Sequence, residues 1–237
     1  MSEALQKKLI KYTPTKSTID LIKNTKILLL VGPSGAGKDA LKDELVKTSK
    51  YHHLVSHTTR APRINKGKLE QNGKEYHFIS ETQAEQMLDN KEFVEAKIYN
   101  NHIYGTSVSE IQKANKDGKI AMTDIEVQGV KEYISIDPNV KAVFLLPPNF
   151  SVWLVRLIKR YGKSIDEKDL NKRFRIALSE LNEMLKNSFY KAVVNDDLNK
   201  ALSLVDKIAS SNDFTYSDLS DRTVALGLVA DIEKYLA

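Results

Sequence analysis

Residues 27–38 have the sequence ILLLVGPSGAGK, and this stretch decides the fold. Its first five residues are all apolar, a pattern typical of a strand that is buried on both faces of a parallel sheet. The chain then turns at Gly32, and the apolar residues Leu41 and Leu45 follow at helical spacing. The stretch therefore predicts a strand, a glycine-rich turn and a helix in succession.

The turn at residues 32–38 fits the pattern G-x-x-x-x-G-K, and it stands between a strand and a helix as that motif requires. Glycines allow backbone N–H groups to turn inward around phosphate oxygens, and the helix N-terminus adds partial positive charge. Lys38 supplies a mobile cation for the β- and γ-phosphates of ATP. The residues predicted to bind ATP here are Gly32, Ser34, Gly35, Ala36, Gly37, Lys38 and Asp39.

Asp39 departs from the usual motif, which has a serine or threonine at this position with its hydroxyl on Mg²⁺. The next residue, Ala40, offers no hydroxyl in its place. A carboxylate is a hard oxygen ligand that suits Mg²⁺. Two interpretations stay open: Asp39 binds Mg²⁺ directly or through water, or it caps the first turn of the helix and faces away.

Other short apolar runs resemble the first one and end at polar or strand-breaking residues. These runs are residues 120–122 before Asp124, residues 140–146 before Pro147, and residues 192–194 before Asn195. Amphipathic helical stretches lie between or after them, at residues 154–158, 174–185 and 198–208. Strands that alternate with helices predict an α/β fold with a largely parallel sheet. Ligands in such folds bind beyond the carboxyl ends of the strands.

The composition is that of a globular protein, with 237 residues, 41% of them hydrophobic and 28% charged. The absence of cysteine excludes a disulfide scaffold, a cysteine nucleophile and a thiolate metal site. The net charge of +5 is mild and suits small anionic ligands, and no aromatic and basic platform for nucleic acid is evident. No apolar stretch approaches the ~18 residues of a membrane span. We expect a cytoplasmic protein that binds neither nucleic acid nor membrane.

The chain is expected to have three parts. Residues 1–25 are polar and rich in lysine, and they predict an extension that packs on the outside or is partly disordered. Residues 26–209 form the α/β domain, and residues 210–237 form a helical extension that follows a polar linker. Within the domain, residues 54–110 have short strand-like pieces and predict a small insert. A capping box at residues 80–83 predicts a short helix in this insert.

Motifs outside the glycine-rich turn give a resemblance to a known family. They are SHTTRAPR at 56–63, NGKEYHF at 72–78, EFVE at 92–95, YGT at 104–106, DIEVQG at 124–129 and VNDDL at 194–198. In this order and spacing, over about residues 26–209, the sequence resembles the guanylate kinases. The resemblance implies a P-loop NTPase-type parallel sheet flanked by helices. It also implies that the insert, about residues 54–110, binds a nucleoside monophosphate and that a lid spans about residues 156–174.

The resemblance implies ATP-dependent phosphorylation of GMP, and of dGMP, with Mg²⁺. The residues implied to hold the GMP phosphate are Ser56, Arg60, Arg63, Tyr76 and Tyr104. Glu95 would accept hydrogen bonds from the guanine N1–H and 2-amino group, and Thr106 would contact the O6 side. Such a carboxylate selects guanine, because adenine would leave it unpaired in a dry pocket.

The resemblance also implies roles for acidic and basic residues of the core. Asp124 would lie near Mg²⁺ and the phosphates, and Glu126 stands where the family has aspartate, so both join the GMP-binding set. The implied metal-binding residues are Asp39 and Asp124. The groups implied to act in catalysis are Lys38, Arg60 and the lid arginines Arg156, Arg160 and Arg173. Asn195 would approach the adenine, and the five histidines are interpreted as structural or surface residues.

Two alternative functions remain open at this point. A G-K-D loop also occurs in related kinases that phosphorylate ribose 1,5-bisphosphate, but those kinases lack base-reading residues such as Glu95 and Thr106. Non-catalytic modules that bind phosphorylated peptides reuse the guanylate kinase fold, but they typically lose the loop lysine and the lid arginines, which this sequence keeps.

Overall fold

A computed structural model describes residues 2–65, 68–162, 166–211 and 214–237. The helices are α1 (Glu3–Ile10), α2 (Lys16–Lys23), α3 (Lys38–Lys47), α4 (Glu81–Asp89), α5 (Val108–Lys116), α6 (Val127–Ile136), α7 (Phe150–Tyr161), α8 (Glu167–Lys186), α9 (Leu198–Ser210) and α10 (Leu219–Leu236). The strands are β1 (Ile27–Val31), β2 (Tyr51–His53), β3 (His57–Thr58), β4 (Ile64–Asn65), β5 (Lys68–Leu69), β6 (His77–Phe78), β7 (Phe93–Tyr99), β8 (His102–Ser107), β9 (Ile120–Asp124), β10 (Lys141–Leu146) and β11 (Tyr190–Val194).

The central sheet has five strands in the order β11-β10-β1-β9-β2. β10 pairs in parallel with β1, with Leu30 opposite Val143, and with β11, with Phe144 opposite Ala192. Every residue of β1 is buried, as the uninterrupted apolar run predicts for a strand covered on both faces. The α/β fold with a mostly parallel sheet flanked by helices is therefore confirmed.

Two units make up the chain. The first contains Met1–Lys26 and His52–Thr123, and the second contains Ile27–Tyr51 and Asp124–Ala237. The first unit is wider than the insert predicted for residues 54–110, because it also takes in the N-terminal residues and most of β9. Residues 66–67 of the predicted insert, 163–165 of the predicted lid and 212–213 of the predicted linker lie outside the described residues.

The first unit has a second sheet in the order β6-β3-β8-β7 and an apolar cluster beside it. The N-terminal part of this unit forms the helices α1 and α2. Helix α1 buries Leu5 and Leu9. The other buried members of the cluster are Ala84, Leu88, Phe93, Ala96 and Ile103. The predicted capping box is confirmed, since Ser80 and Gln83 cap the start of α4 reciprocally.

In the second unit, α10 packs on its neighbours through Ala225, Leu228 and Ile232, which are buried. Near its start, Arg222 donates hydrogen bonds to the carbonyls of Met184, in the last turn of α8, and of Asn187, just after α8. It also donates to the carbonyl of Tyr190 in β11. These bonds join the C-terminal helix to the rest of the unit. Among the described residues, none of the helices has both the length and the apolar character needed to cross a membrane.

Candidate active site

The loop between β1 and α3 has a backbone that requires glycine at two of its motif positions. Gly32 has φ +131° and Gly37 has φ +103°, values that side-chain-bearing residues rarely adopt. A Cβ atom at Gly32 would overlap the carbonyl oxygen of Leu145, and one at Gly37 would overlap the side-chain amide of Asn195. The glycines of the motif are therefore fixed by the close approach of β10 and of the residue that follows β11.

Two side chains hold carbonyl groups of this loop. The indole Nε1–H of Trp153 donates to the carbonyl of Ser34 at 2.7 Å, and the Nδ2–H of Asn195 donates to the carbonyl of Ala36 at 2.8 Å. In a trans peptide, the N–H of the following residue points opposite to the carbonyl. Anchoring these two carbonyls therefore turns the next N–H groups to the other side, where a phosphate would accept from them.

Lys38 begins α3, and its ammonium group donates to the carbonyls of Gly32 and Pro33. Burial lowers the pKa of Lys38, and the carboxylates of Glu180 and Asp124 partly oppose that effect. Glu180 lies on α8, and burial also raises its pKa. The sequence motifs contain no signal for Glu180, because it reaches the loop lysine only through the packing of α8.

The two carboxylates expected near Mg²⁺ each have a basic partner. Asp39, in the first turn of α3, forms an ion pair with Arg160 at 3.3 Å. Asp124, at the end of β9, forms one with Lys42 at 2.7 Å. Both acidic side chains are exposed, at 57% and 38%. Over the described part of the chain, no group of three or more acidic or histidine side chains is arranged to hold a metal ion.

The other two arginines of the predicted lid form hydrogen bonds with nearby groups in the second unit. Arg156 donates from Nη2 to the backbone carbonyl of Asn195 at 3.0 Å, and Arg173 donates from Nη1 to the hydroxyl of Tyr161 at 3.1 Å. Within the described residues, the buried Nη1 of Arg156 and the buried Nε of Arg173 have no hydrogen-bond partner. Buried donors of this kind are rare and suit an anion that binds later.

In the first unit, Arg60 contacts several of the residues that are expected to hold a phosphate. It is buried and forms an ion pair with Glu70, with Nη1 2.8 Å from Oε2. Its guanidinium lies over the ring of Tyr76, 5.2 Å from the centroid. Burial alone would lower the pKa of Arg60, but hydrogen bonds to Glu70 and Tyr104 raise it. The rings of Tyr76 and Tyr104 meet edge to face at 5.9 Å.

The remaining predicted phosphate ligands lie on either side of Arg60 in the sequence. The backbone N–H of Arg63 donates to Glu70 at 2.8 Å, and the Arg63 side chain is exposed. The carbonyl of Ser56 accepts from the N–H of His77 at 2.9 Å, which fixes the start of the segment that leads to Arg60. Sequence reasoning missed Glu70, although it lies in the gap between two of the quoted motifs.

Glu95 and Thr106, the two predicted base-reading residues, face each other across β7 and β8. The backbone N–H of Thr106 donates to Oε1 of Glu95 at 3.0 Å. The structure therefore brings this pair together at adjacent positions of one sheet. Asp124 and Glu126, also predicted for GMP, belong to the second unit. Glu126 is the N-cap residue of α6, and burial raises its pKa.

Two histidines lie beside a buried carboxylate in the first unit, and a third packs on one of them. His52 and His77 each place Nε2 3.5 Å from an oxygen of Glu110, and the rings of His57 and His77 are 4.5 Å apart. Lys113 pairs with the same carboxylate at 2.6 Å. Burial, with a smaller effect of His77, lowers the pKa of His57 to about 4. The sequence spacing of the histidines does not reveal this grouping.

Known proteins resemble this chain over most of its length. A family model described as "Guanylate kinase" matches residues 24–212. The guanylate kinase of Helicobacter pylori (strain ATCC 700392 / 26695) is 37% identical over 186 residues, which cover 78% of this chain and 86% of that protein. The guanylate kinase of Schizosaccharomyces pombe is 33% identical over 190 residues, covering 79% and 91%.

A solved structure shares the fold. The crystal structure of guanylate kinase from Anaplasma phagocytophilum aligns with a TM-score of 0.60 and covers 90% of this chain and 96% of that chain. Its sequence is 20% identical, so this likeness supports the architecture alone.

Proposed function

The chain belongs to the guanylate kinase family, and on this premise we propose that it phosphorylates GMP, and dGMP, with ATP as the donor. In the reaction, an oxygen of the GMP phosphate forms a bond to the γ-phosphorus of ATP. The bond from that phosphorus to the bridging oxygen breaks, and ADP leaves. The protein has little covalent chemistry to do, so its task is to hold both nucleotides and to neutralise charge.

The observation that carries the choice of base is the pairing of Glu95 with Thr106. The N–H of Thr106 occupies one position on Oε1 of Glu95, and a carboxylate has further acceptor sites. Those sites match the N1–H and 2-amino donors of guanine, which adenine lacks at these positions. A base without these donors could not make these hydrogen bonds to the carboxylate, which is the effect that gives such sites strong discrimination.

Arg60 would bind the GMP phosphate together with Tyr76 and Tyr104, since the three side chains already contact one another. A guanidinium can grip a phosphate with two parallel hydrogen bonds, and tyrosine hydroxyls can complete the shell. Arg63 and Ser56 would add contacts from the same segment. The ion pair of Arg60 with Glu70 keeps the guanidinium in place before the substrate arrives.

On the donor side, the N–H groups of the phosphate loop and Lys38 would bind the ATP phosphates. The anchored carbonyls of Ser34 and Ala36 support this assignment. Arg156, Arg160 and Arg173 would then neutralise the charge that spreads over the transferring phosphoryl group. For Asn195 we propose a supporting role instead of contact with adenine, because its buried amide is used on the loop.

The residues present also fit Mg²⁺. The carboxylates of Asp39 and Asp124 supply hard oxygen ligands close to the loop lysine, whose pKa both of them influence. Mg²⁺ is commonly held by one or two carboxylates together with phosphate oxygens and water, so a larger acidic cluster is not needed. When bound, Mg²⁺ neutralises charge on the β- and γ-phosphates.

We also propose a cytoplasmic location and small nucleotides, not nucleic acid, as partners, which agrees with a cysteine-free chain of mild charge.

An assay of ADP release tests this proposal, with GMP, dGMP, AMP, UMP and ribose 1,5-bisphosphate as acceptors, each with and without Mg²⁺. We expect turnover with GMP and dGMP that requires Mg²⁺. Preferred turnover of ribose 1,5-bisphosphate would indicate the related sugar-phosphate kinases, and no turnover with any acceptor would indicate a binding module. Lys38→Ala should lower kcat by about 10²-fold or more, the scale expected when one group that stabilises transferring charge is lost.

Glu95→Ala tests the base-reading role. We expect KM for GMP to rise about tenfold or more, with a smaller preference for GMP over AMP, because a site built around the carboxylate loses its partner. The matched control is Glu92→Ala, which removes an exposed carboxylate just before β7. An unchanged guanine preference in Glu95→Ala would contradict the assignment.

A further inference from the structure

Tyr161 is the last residue of α7. It lies outside the sequence motifs, and the family resemblance implies no role for it. Its ring contacts the guanidinium groups of two arginines of the predicted lid. The guanidinium carbon of Arg173 is 3.8 Å from the ring centroid, and that of Arg160 is 5.6 Å away. Both distances are within the range of cation–π interactions, and the Arg173 contact is the closer one.

The hydroxyl of Tyr161 makes two hydrogen bonds. It lies 2.8 Å from the hydroxyl of Ser34 in the phosphate loop, where either group can be the donor. It also accepts from Nη1 of Arg173 at 3.1 Å. A single phenol therefore connects the phosphate loop to an arginine that lies more than a hundred residues further along the chain.

These contacts leave part of the Arg173 guanidinium for another partner. Nη1 is used by Tyr161, while the buried Nε has no hydrogen-bond partner among the described residues. A guanidinium is planar, so a ring beneath it and one bond at its edge fix the directions of its remaining N–H groups. A donor fixed beforehand has less freedom to lose when an anion binds.

We propose that Tyr161 is a positioning residue, which holds Arg173 against the phosphate loop so that the remaining N–H groups of the Arg173 guanidinium meet the triphosphate of the donor nucleotide. The proposal rests on the proposed function in that Arg173 is taken to bind the donor phosphates. Tyr161 itself need not contact the nucleotide: Ser34 holds its hydroxyl, and it acts on the nucleotide through Arg173.

A double-mutant cycle tests this relation, with Tyr161→Phe and Arg173→Ala made singly and together. Tyr161→Phe keeps the ring but removes both hydrogen bonds. We expect kcat to fall about tenfold and the Kd for ATP to rise several-fold, as loss of hydrogen bonds to a charged group predicts. KM for GMP should change by less than about twofold, because the lost hydrogen bonds lie in the ATP site and do not contribute to GMP binding.

The decisive comparison is the effect of Tyr161→Phe when Arg173 is already alanine. If Tyr161 acts through Arg173, the second change has little further effect on kcat or on ATP affinity. Equal losses in both backgrounds would overturn the proposal, and so would an unchanged or raised kcat in Tyr161→Phe alone. A purely structural role would lower Tm and would give equal losses in both backgrounds. Tyr235→Phe, which alters a ring packed on Phe150 and Phe174, is the matched control.

ATP affinity has a readout that does not need turnover. Trp153 is the single tryptophan of the chain, and its indole donates a hydrogen bond to the phosphate loop. Its fluorescence can therefore report nucleotide binding. If the protein bound ATP without phosphorylating GMP, the proposed function would fail. The effect of Tyr161→Phe on the Kd for ATP, with and without Arg173, would still decide whether Tyr161 positions Arg173.

Discussion

Arg60 and Glu70 form a two-pronged ion pair, with Nη1 2.8 Å from Oε2 and Nη2 3.1 Å from Oε1. Their side chains are only 6% and 10% exposed. Glu70 also accepts from the backbone N–H of Arg63 at 2.8 Å. One carboxylate, located between two recognisable motifs, therefore holds the side chain of one arginine and the backbone of the other, both of which the resemblance assigns to the GMP phosphate.

Glu70→Gln should raise KM for GMP about tenfold, because the neutral amide no longer holds the Arg60 guanidinium with two charged hydrogen bonds. The free energy of unfolding should also fall, by about 3 kcal/mol, since one partner of a buried ion pair is lost. Steady-state kinetics and urea denaturation measure the two effects. Glu75→Gln, at another half-buried carboxylate in the same segment, is the control. A KM equal to that of the unmodified protein would argue against a positioning role for Glu70.

Asn195→Ala should weaken the binding of ATP and of inorganic tripolyphosphate by a similar factor, about tenfold. The substitution leaves the carbonyl of Ala36 without its donor, and an unpaired buried carbonyl costs about 1–3 kcal/mol. Calorimetric titration with each ligand measures the two affinities. A loss confined to ATP would instead indicate contact with the adenine, as the family resemblance implied.

His57 should make the first unit less stable in acid. Its pKa of about 4 in the folded protein lies below the ordinary value of 6.5, so the unfolded chain takes up the proton first. Stability is therefore complete above about pH 6.5 and is lost as the pH falls towards 4, by at most about 3 kcal/mol.

Urea denaturation at pH 7 and at pH 4.5 measures this loss, and His57→Gln should reduce it. The groups that face His57 are His77, Glu110 and Lys113, and they remain in that variant. His102→Gln, at the first residue of β8, serves as the control. The assignment fails if both variants lose stability in acid to the same extent as the unmodified protein.

Leu9→Ala should lower the free energy of unfolding by about 3 kcal/mol, the usual cost of a cavity in a packed cluster. Leu9 is 6% exposed, whereas its neighbour Ile10 is 81% exposed. Ile10→Ala should therefore change the stability by less than about 0.5 kcal/mol. Thermal and urea denaturation of both variants provides the measurement. Similar small effects from both would mean that α1 contributes nothing to the stability of the first unit.

The features that follow from local sequence could be predicted. Strand β1 has the bounds of the apolar run at Ile27–Val31. Helix α4 begins after Ser80, where the capping-box pattern predicts it. Glu95 and Thr106 also lie opposite each other, because a hairpin of β7 and β8 brings residues that are close in sequence into register. In these cases the interactions that decide the structure lie within about a dozen residues of each other.

The supports of the site could not be predicted in the same way. Trp153 reaches Ser34 across 119 residues, and Tyr161 reaches it across 127 residues. Such partners are selected by tertiary packing, which leaves no periodic or motif signal at either end of the bond. The packing of α1 does not follow from the sequence either, because a helix of eight residues has only a weak pattern before its partners are known.

The packing of α1 has a practical consequence for anyone who prepares this protein for crystallography or screening. A fragment trimmed to the family match at residues 24–212 would omit α1 and uncover the apolar faces of Leu88 and Phe93. Exposed apolar patches of this kind promote aggregation. Such a fragment would keep every predicted catalytic side chain and still be a poor reagent, so expression clones should retain the leading helices.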